Sequence, residues 1–402
     1  MYMPVPVSFE DKKSIFKKSP YSAHYLALIF LSLHWACVLY INSSYLEQFV
    51  SHSVLTSFYI IGALLTIGAV FIATYVLAQI GSKRFTLLLA FLEFFVFIGM
   101  AHTASPYVAG TLFILHQIII TLLYLNLDVL MEASVGEQED ATGRQRGVFL
   151  TIVSITTAFA PLIIGKLIGN GIPDFSFAYT LSAFILLPFA YVLYTGFKDF
   201  VDPHYPHLRI KEGIAHFWKS KDLRNVFFAH FLLQFFFTWM VIYTPIYLST
   251  VIGFDWEEIG GILFVGLMAY VLLQYFIGLI ADKYVGEKEM MAFGFAVTAV
   301  ATSWFVFLDN SSIGVWMLAM FMTRVGASFI EATTESYFFK HTNGTNSDVI
   351  GLFRITRPLS YVIGAMLGGI SLHFLDFEAL FIILGLLMVP GIFFAMALND
   401  TK

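Results

Sequence analysis

Charge is what this sequence has least of. Only 12% of its 402 residues are Asp, Glu, Lys or Arg, against roughly 25% in a soluble domain. By contrast, 58% are hydrophobic, and Phe alone contributes 44 residues. A soluble fold of this length could not hide that much apolar surface, because much of its exterior would still meet water. Cysteine is almost missing too. Cys37 stands alone, which excludes an internal disulfide and a cysteine-rich metal site. There is no Gly-rich phosphate loop ending in Lys-Ser/Thr, and no polar stretch long enough to form a domain that hydrolyses ATP. The net charge of −5 offers no basic surface for nucleic acid.

What is present is a series of apolar runs of membrane length. A helix needs roughly 20 mainly apolar residues to cross about 30 Å of hydrocarbon. By that measure spans fall near 22–41, 54–78, 85–103, 108–131, 147–169 and 178–197. A second set falls near 225–250, 259–281, 289–308, 313–338, 349–373 and 377–397. In hydrocarbon the backbone must satisfy its own polar groups, so each span is expected to be helical. The first run follows a polar tail carrying Lys12, Lys13, Lys17 and Lys18, and no small-x-small cleavage site comes after it. It reads as a permanent span and not as a leader.

The cations set the expected orientation. Beyond the tail, Lys83 and Arg84 follow span two, and Arg144 and Arg146 follow span four. Lys198, Arg209, Lys211, Lys219, Lys221 and Arg224 follow span six. Lys283 and Lys288 follow span eight, Lys340 follows span ten, and Lys402 ends the chain. The loops after odd-numbered spans carry none. Both termini are therefore expected in the cytoplasm, with the chain in the plasma (inner) membrane. The connection 198–224 separates two bundles, 22–197 and 225–397, flanked by cytoplasmic tails 1–21 and 398–402. Within it, Ile210–Trp218 has a basic face and an apolar one, as in a helix lying at the interface.

The two halves repeat. Gln117, Thr121, Tyr124, Asp128 and Glu132 form one stripe along span four, and Arg324, Ser328, Glu331 and Glu335 form another along span ten. A shift of 203 matches Asp128 to Glu331 and Glu132 to Glu335. Gly147-Val148-Phe149 opens span five as Gly351-Leu352-Phe353 opens span eleven. Tyr45-Leu46 and Tyr247-Leu248 end spans one and seven.

With these features the whole chain resembles a transporter of the major facilitator superfamily. The family's loop signature, roughly Gly-x-x-x-Asp-Arg-x-Gly-Arg-Arg, is echoed after span eight by Gly278, Asp282, Lys283, Gly286 and Lys288, with one residue inserted before Gly286. After span two it is reduced to Gln79, Gly81, Lys83 and Arg84. Arg146-Gly147 also fits. Span five keeps only Pro161 and Gly165 of the antiporter glycine-proline motif, and span four lacks the antiporter arginine, so no subfamily follows. The resemblance implies two pseudo-symmetric six-helix bundles, all α and integral to the membrane. It also implies a cavity lined by spans 1, 4, 7 and 10, and a bundle interface made by spans 2, 5, 8 and 11. Spans 3, 6, 9 and 12 would support from outside.

Ionisable groups inside a span are costly and must face a partner or water. Arg324, midway along span ten, offers a fork of donors for a carboxylate or phosphate on a solute, or pairs with a neighbouring acid. His34, His116, Gln117, Gln234, Trp239, Tyr243 and Gln274 are candidate solute contacts by position. Asp128 is the first candidate for proton coupling, with Glu331; Asp128 alternatively pairs with Lys83 or Arg84. By depth, Glu335 matches Arg354 and Glu331 matches Arg357, so adjacent antiparallel helices ten and eleven would pair them. Those residues, with Glu132, Asp282 and Lys283, form an expected cytoplasmic gate. Glu93 receives no role.

The function expected is movement of a small solute across the bilayer by alternating access, driven by a gradient. The partners are that solute, membrane lipid and a proton as coupling ion, in a monomer without cofactor or metal. A membrane-embedded transferase and a non-transporting sensor on the same fold are the competing classes. In a Cys37→Ser background, cysteines replacing Arg84 and Lys219 should react with an impermeant thiol reagent from the side of the tails. A cysteine replacing Tyr107 should react only from the other side. Any other pattern would break the count of twelve.

Overall fold

The computed structural model describes residues 22–135, 139–169, 173–197, 202, 217–308, 312–341 and 347–399. Among the described residues, twelve helices are long and apolar enough to cross a membrane. We number them α1 (Ser22–Leu39), α2 (His52–Ile80), α3 (Ser82–His102), α4 (Pro106–Val135), α5 (Glu139–Ile168) and α6 (Ser176–Gly196) in the first half. The second half has α7 (Lys221–Ile246), α8 (Trp256–Ile280), α9 (Glu287–Ser303), α10 (Ile313–Lys340), α11 (Ser347–Phe374) and α12 (Phe377–Met396). Several exceed the apolar runs at one end, because helical hydrogen bonding continues past the hydrocarbon. The interfacial helix expected at Ile210–Trp218 lies almost wholly outside the described residues.

The packing repeats as the sequence stripes do. In the first bundle α1 packs on α5 and α6, α2 on α4, and α3 on α4 and α6. In the second, α7 packs on α11 and α12, α8 on α10, and α9 on α10 and α12. The same five pairings thus occur twice. The bundles meet through α2 on α11 and α5 on α8, the interface helices that the resemblance implies. The helices expected at the periphery turn apolar side chains outward: Phe91 and Phe95 of α3, Leu187 and Tyr191 of α6, Val300 of α9, Leu386 and Phe393 of α12. A water-soluble protein rarely exposes such a belt. The protein is an integral, multi-pass membrane protein.

Backbone details support the duplication. The third helix of each bundle begins after a glycine in nearly the same conformation, Gly81 at φ 80° and ψ 152°, Gly286 at φ 93° and ψ 161°. A side chain would be strained at such positive φ. α2 runs straight into its glycine, whereas α8 reaches Gly286 through a π-helical turn at Ala281–Val285. A π turn accommodates one extra residue in a helix, and the second loop has one extra residue. Each start is then braced. Asp202 accepts from the Ser82 amide and hydroxyl, both at 2.7 Å, and Lys83 donates to the carbonyls of Tyr194 and Phe197 at 3.0 Å. In the second bundle, buried Glu287 accepts from Ser336 at 3.0 Å and pairs with Lys340.

The helices alternate in direction, so both ends of the described chain lie on one side; Asn399 bonds Asp222 at the start of α7. We call this the terminal side and the other the distal side. Asn42, in a glycosylation triplet on the distal side, is buried and accepts from Tyr179 Oη at 2.7 Å, so it is not available for modification. At the distal end the bundles touch backbone to backbone. A Cβ on Gly165 of α5 would collide with the Trp256 carbonyl oxygen, and one on Gly260 of α8 with the Pro161 carbonyl oxygen. Nearby, Phe175 meets Trp256 edge-on at 5.2 Å. Gly260→Val should therefore force α5 from α8. Overpacking of this kind costs about 1–3 kcal/mol, read as a lower thermal midpoint in detergent; an unchanged midpoint would mean that the contact is not tight.

Candidate functional site

The seam between the bundles gathers several of the polar side chains that the spans carry. α1 and α11 meet where the Arg357 guanidinium lies 4.9 Å from the centre of the Trp35 ring. Tyr124 of α4 stands edge-on to Trp35 at 5.8 Å. Tyr59 of α2 stacks with Tyr361 of α11 at 6.0 Å. Trp35 was not among the sequence candidates; a lone Trp in an apolar run gives no signal until a cation is placed over its face, where attraction to the ring is strongest.

Toward the terminal side the charges face each other across the seam. Arg354 Nη2 lies 3.6 Å from Asp128 Oδ2, with side chains 51% and 27% exposed. A cation this exposed near the terminal-side end of a membrane helix faces water, since lipid would not solvate it. This corrects the expected pairing. Depth had matched Glu335 with Arg354 and Glu331 with Arg357 on adjacent helices; α11 packs on α2 and α7 and shares no extensive contact with α10, although the Arg357 charge does act on the Glu331 carboxyl. Arg354 instead reaches the first bundle. Glu335 lies 3.7 Å from His230 Nε2, whose ring stacks on Phe353 at 4.1 Å and bonds Thr356 at 2.9 Å. Asp128 has its counter-charge across the seam, while Lys83 is engaged by carbonyls of α6.

A second crossing lies deeper. Ser154 of α5 donates to Gln274 Oε1 of α8 at 3.2 Å, and Gln274 Nε2 donates to Glu331 Oε2 at 2.6 Å. One amide thus links the first bundle to the carboxyl of α10. Gln274 is here a connector between the halves.

Arg324 is 1% exposed. Its Nη1 is 3.4 Å from Thr323 Oγ1, and its guanidinium lies 5.3 Å from the Phe236 ring. Among the described residues no carboxylate lies within 4 Å of it, so the alternative of a buried ion pair is not realised there. A guanidinium with five donors and so few acceptors is equipped to take an oxyanion.

The remaining candidates separate. Trp239 Nε1 donates to the Gly364 carbonyl at 2.8 Å and Tyr243 Oη to the Ala365 carbonyl at 3.3 Å; both are buried pins between α7 and α11. Gln234 contacts His230 Nε2 at 3.2 Å, and Gln117 reaches the Phe58 carbonyl at 3.4 Å. His34 and His116 converge on Glu93, away from the seam. Glu93 is the ionisable residue that sequence reasoning passed over. The side chains of Glu132, Asp282 and Lys283 lie outside the described residues.

The Asp128–Arg354 contact is partly solvated, so each single neutralisation should cost only about 0.5–1 kcal/mol. In a double-mutant cycle of Asp128→Asn and Arg354→Gln, thermal midpoints should show coupling of that size. Additive losses would mean that the pair does not interact.

Comparison with known proteins adds the following. The profile of the Major Facilitator Superfamily matches residues 226–402. No curated protein matches the sequence. The crystal structure of a mutant of the nucleoside transporter NupG superposes with a TM-score of 0.71 and 13% identity, over 94% of this chain and 99% of that one. At that identity the likeness is one of fold.

Proposed function

Because residues 226–402 match the profile of the Major Facilitator Superfamily and the fold is that of a solved transporter, we propose that this chain is a member of that family and moves a small polar solute through the seam by alternating access, coupled to a proton gradient. The observation that carries this reading is the Asp128–Arg354 contact, an ionic group of each bundle facing the other in a partly wet gap. An ion pair across two moving bodies can form and part at modest cost, because water compensates both ions as it opens. The packed distal glycines and the exposed Arg354 and Arg357 at the terminal side support a reading of this conformation as closed at the distal end.

Roles follow from position. Arg324 anchors an anionic group of the solute in the second bundle. Trp35 and Tyr124 offer ring faces for its planar or apolar part. Glu331 is the proton carrier of the seam: its partner is a neutral amide, Gln274, which answers the carboxyl whether or not a proton is bound. Asp128, Arg354 and Arg357 act as the terminal-side gate, together with Glu132, Glu335, Asp282 and Lys283. The cation asymmetry supports a cytoplasmic terminal side. The nucleoside named for the structural neighbour is one member of the solute panel to test, beside carboxylates and phosphate esters.

Uptake into proteoliposomes tests the reading. A solute that is transported should accumulate when a pH gradient is imposed and only equilibrate when it is collapsed. Arg324→Gln should lower uptake of an anionic solute by about tenfold or more, the worth of one hydrogen bond to a charged group. Glu331→Gln should leave exchange but abolish accumulation. Uptake indifferent to the pH gradient would remove the coupling, and no uptake of any panel member would remove the transport.

A further inference from the structure

A carboxyl that the seam does not use lies in the middle of the first bundle. Glu93 of α3 has no exposed surface. Its Oε1 is 2.5 Å from His116 Nδ1 of α4 and 3.4 Å from His34 Nε2 of α1. Its Oε2 is buried without a hydrogen-bond partner. His34 is fixed from behind by α6: its Nδ1 lies 2.9 Å from the Ser182 carbonyl oxygen and 2.8 Å from the Ser182 hydroxyl. That hydroxyl donates its own hydrogen to the His34 carbonyl oxygen at 2.7 Å.

These contacts count protons. The Ser182 carbonyl can only accept, and the hydroxyl has spent its hydrogen, so Nδ1 of His34 must carry one. A neutral His34 then turns a lone pair at Nε2 toward a carboxylate oxygen. Two lone pairs facing each other in a dry interior repel, so the contact holds only with an additional proton between the two atoms, on His34 Nε2 or on Glu93 Oε1. The same proton makes the cluster neutral, which is what hydrocarbon surroundings demand. The groups that face it are His34 from α1, Glu93 from α3, His116 from α4 and Ser182 from α6, with Phe97 of α3 packed on both imidazoles. α2 approaches through Tyr59, which packs on Phe113 beside His116. No other charged side chain of these helices pairs with the cluster among the described residues.

We propose that Glu93, His34 and His116 form a proton-binding site inside the first bundle, separate from the seam, whose occupancy controls the hold on α1. When the proton leaves for water, the His34–Glu93 contact turns repulsive and α1 loses its tie to α3. One turn beyond His34, α1 carries Cys37, which with Tyr40 lines a narrow crevice against Pro161 and Gly165 of α5 and Trp256 and Gly260 of α8. The proton is therefore read out at the distal joint between the bundles. Nothing in this depends on the transport reading.

The single cysteine makes the test direct. Full-length protein in lipid vesicles is alkylated with a neutral maleimide from about pH 5.5 to 8.5, the range in which histidine sites exchange protons. Thiol ionisation raises the rate for every variant alike, so the ratio of wild type to Glu93→Gln isolates the site. That ratio should change by at least about fivefold across the range, the scale of a typical coupling between sites. His116→Gln should flatten the wild-type profile in the same way. A constant ratio in folded protein overturns the proposal. Should Glu93→Gln not fold, wild type alone decides: a rate that climbs about tenfold per pH unit throughout, as bare thiol ionisation dictates, overturns it too. No solute is required, so failure here with uptake intact removes only this site, and failure of uptake leaves it standing.

Discussion

A charge placed in hydrocarbon has to be answered by another group, and that requirement arranges this molecule. Its described spans answer in three ways. Across the seam, Asp128 and Arg354 answer each other with water at hand. Within the second bundle, Arg324 is answered by a hydroxyl and a ring face. Within the first, Glu93 is answered by two imidazoles, and the proposed extra proton lies between it and His34. The cost of an unanswered ion rises as water is excluded. The three sites therefore form a series, from a contact easily parted to one that can be parted only by moving a proton.

The same requirement explains what could be read from residues alone. Twelve apolar runs and the paired stripes gave the spans and the duplicated halves, because each follows from length or period along one chain, whereas the interface helices came from the family resemblance. Pairing across helices does not. Depth alone suggested Glu335 with Arg354 and Glu331 with Arg357, but depth says nothing about which helices are neighbours; α11 turned out to lean on α2 and α7. Glu93 was passed over for a related reason. Its helix belongs to the outer layer, yet a helix in that layer still has an inner face. A signal was available: one acid in an otherwise apolar run, and two mid-span histidines in the same half. Joining those three facts would have found the cluster.

The halves are alike in backbone and unlike in chemistry. Five packing pairs, two interface pairs and two left-handed glycines recur. The first bundle holds its ionisable centre among α1, α3, α4 and α6. The second keeps Arg324 and Glu331 on α10, close to the seam. Duplication supplied the frame; divergence gave one half an enclosed acid and the other an enclosed base.

The distal joint has a consequence of its own. Where Gly165 and Gly260 cross, the two bodies meet through carbonyl oxygens and Cα hydrogens, with no side chain interposed. Such a bearing has no rotamers to reset and no interlocked teeth to clear. From Gly260 to the end of α8 the helix runs about 30 Å at 1.5 Å per residue, so a swivel of about 10° there would carry the far end through about 5 Å. A small pivot at one membrane face would thus be enough to open a solute-sized mouth at the other.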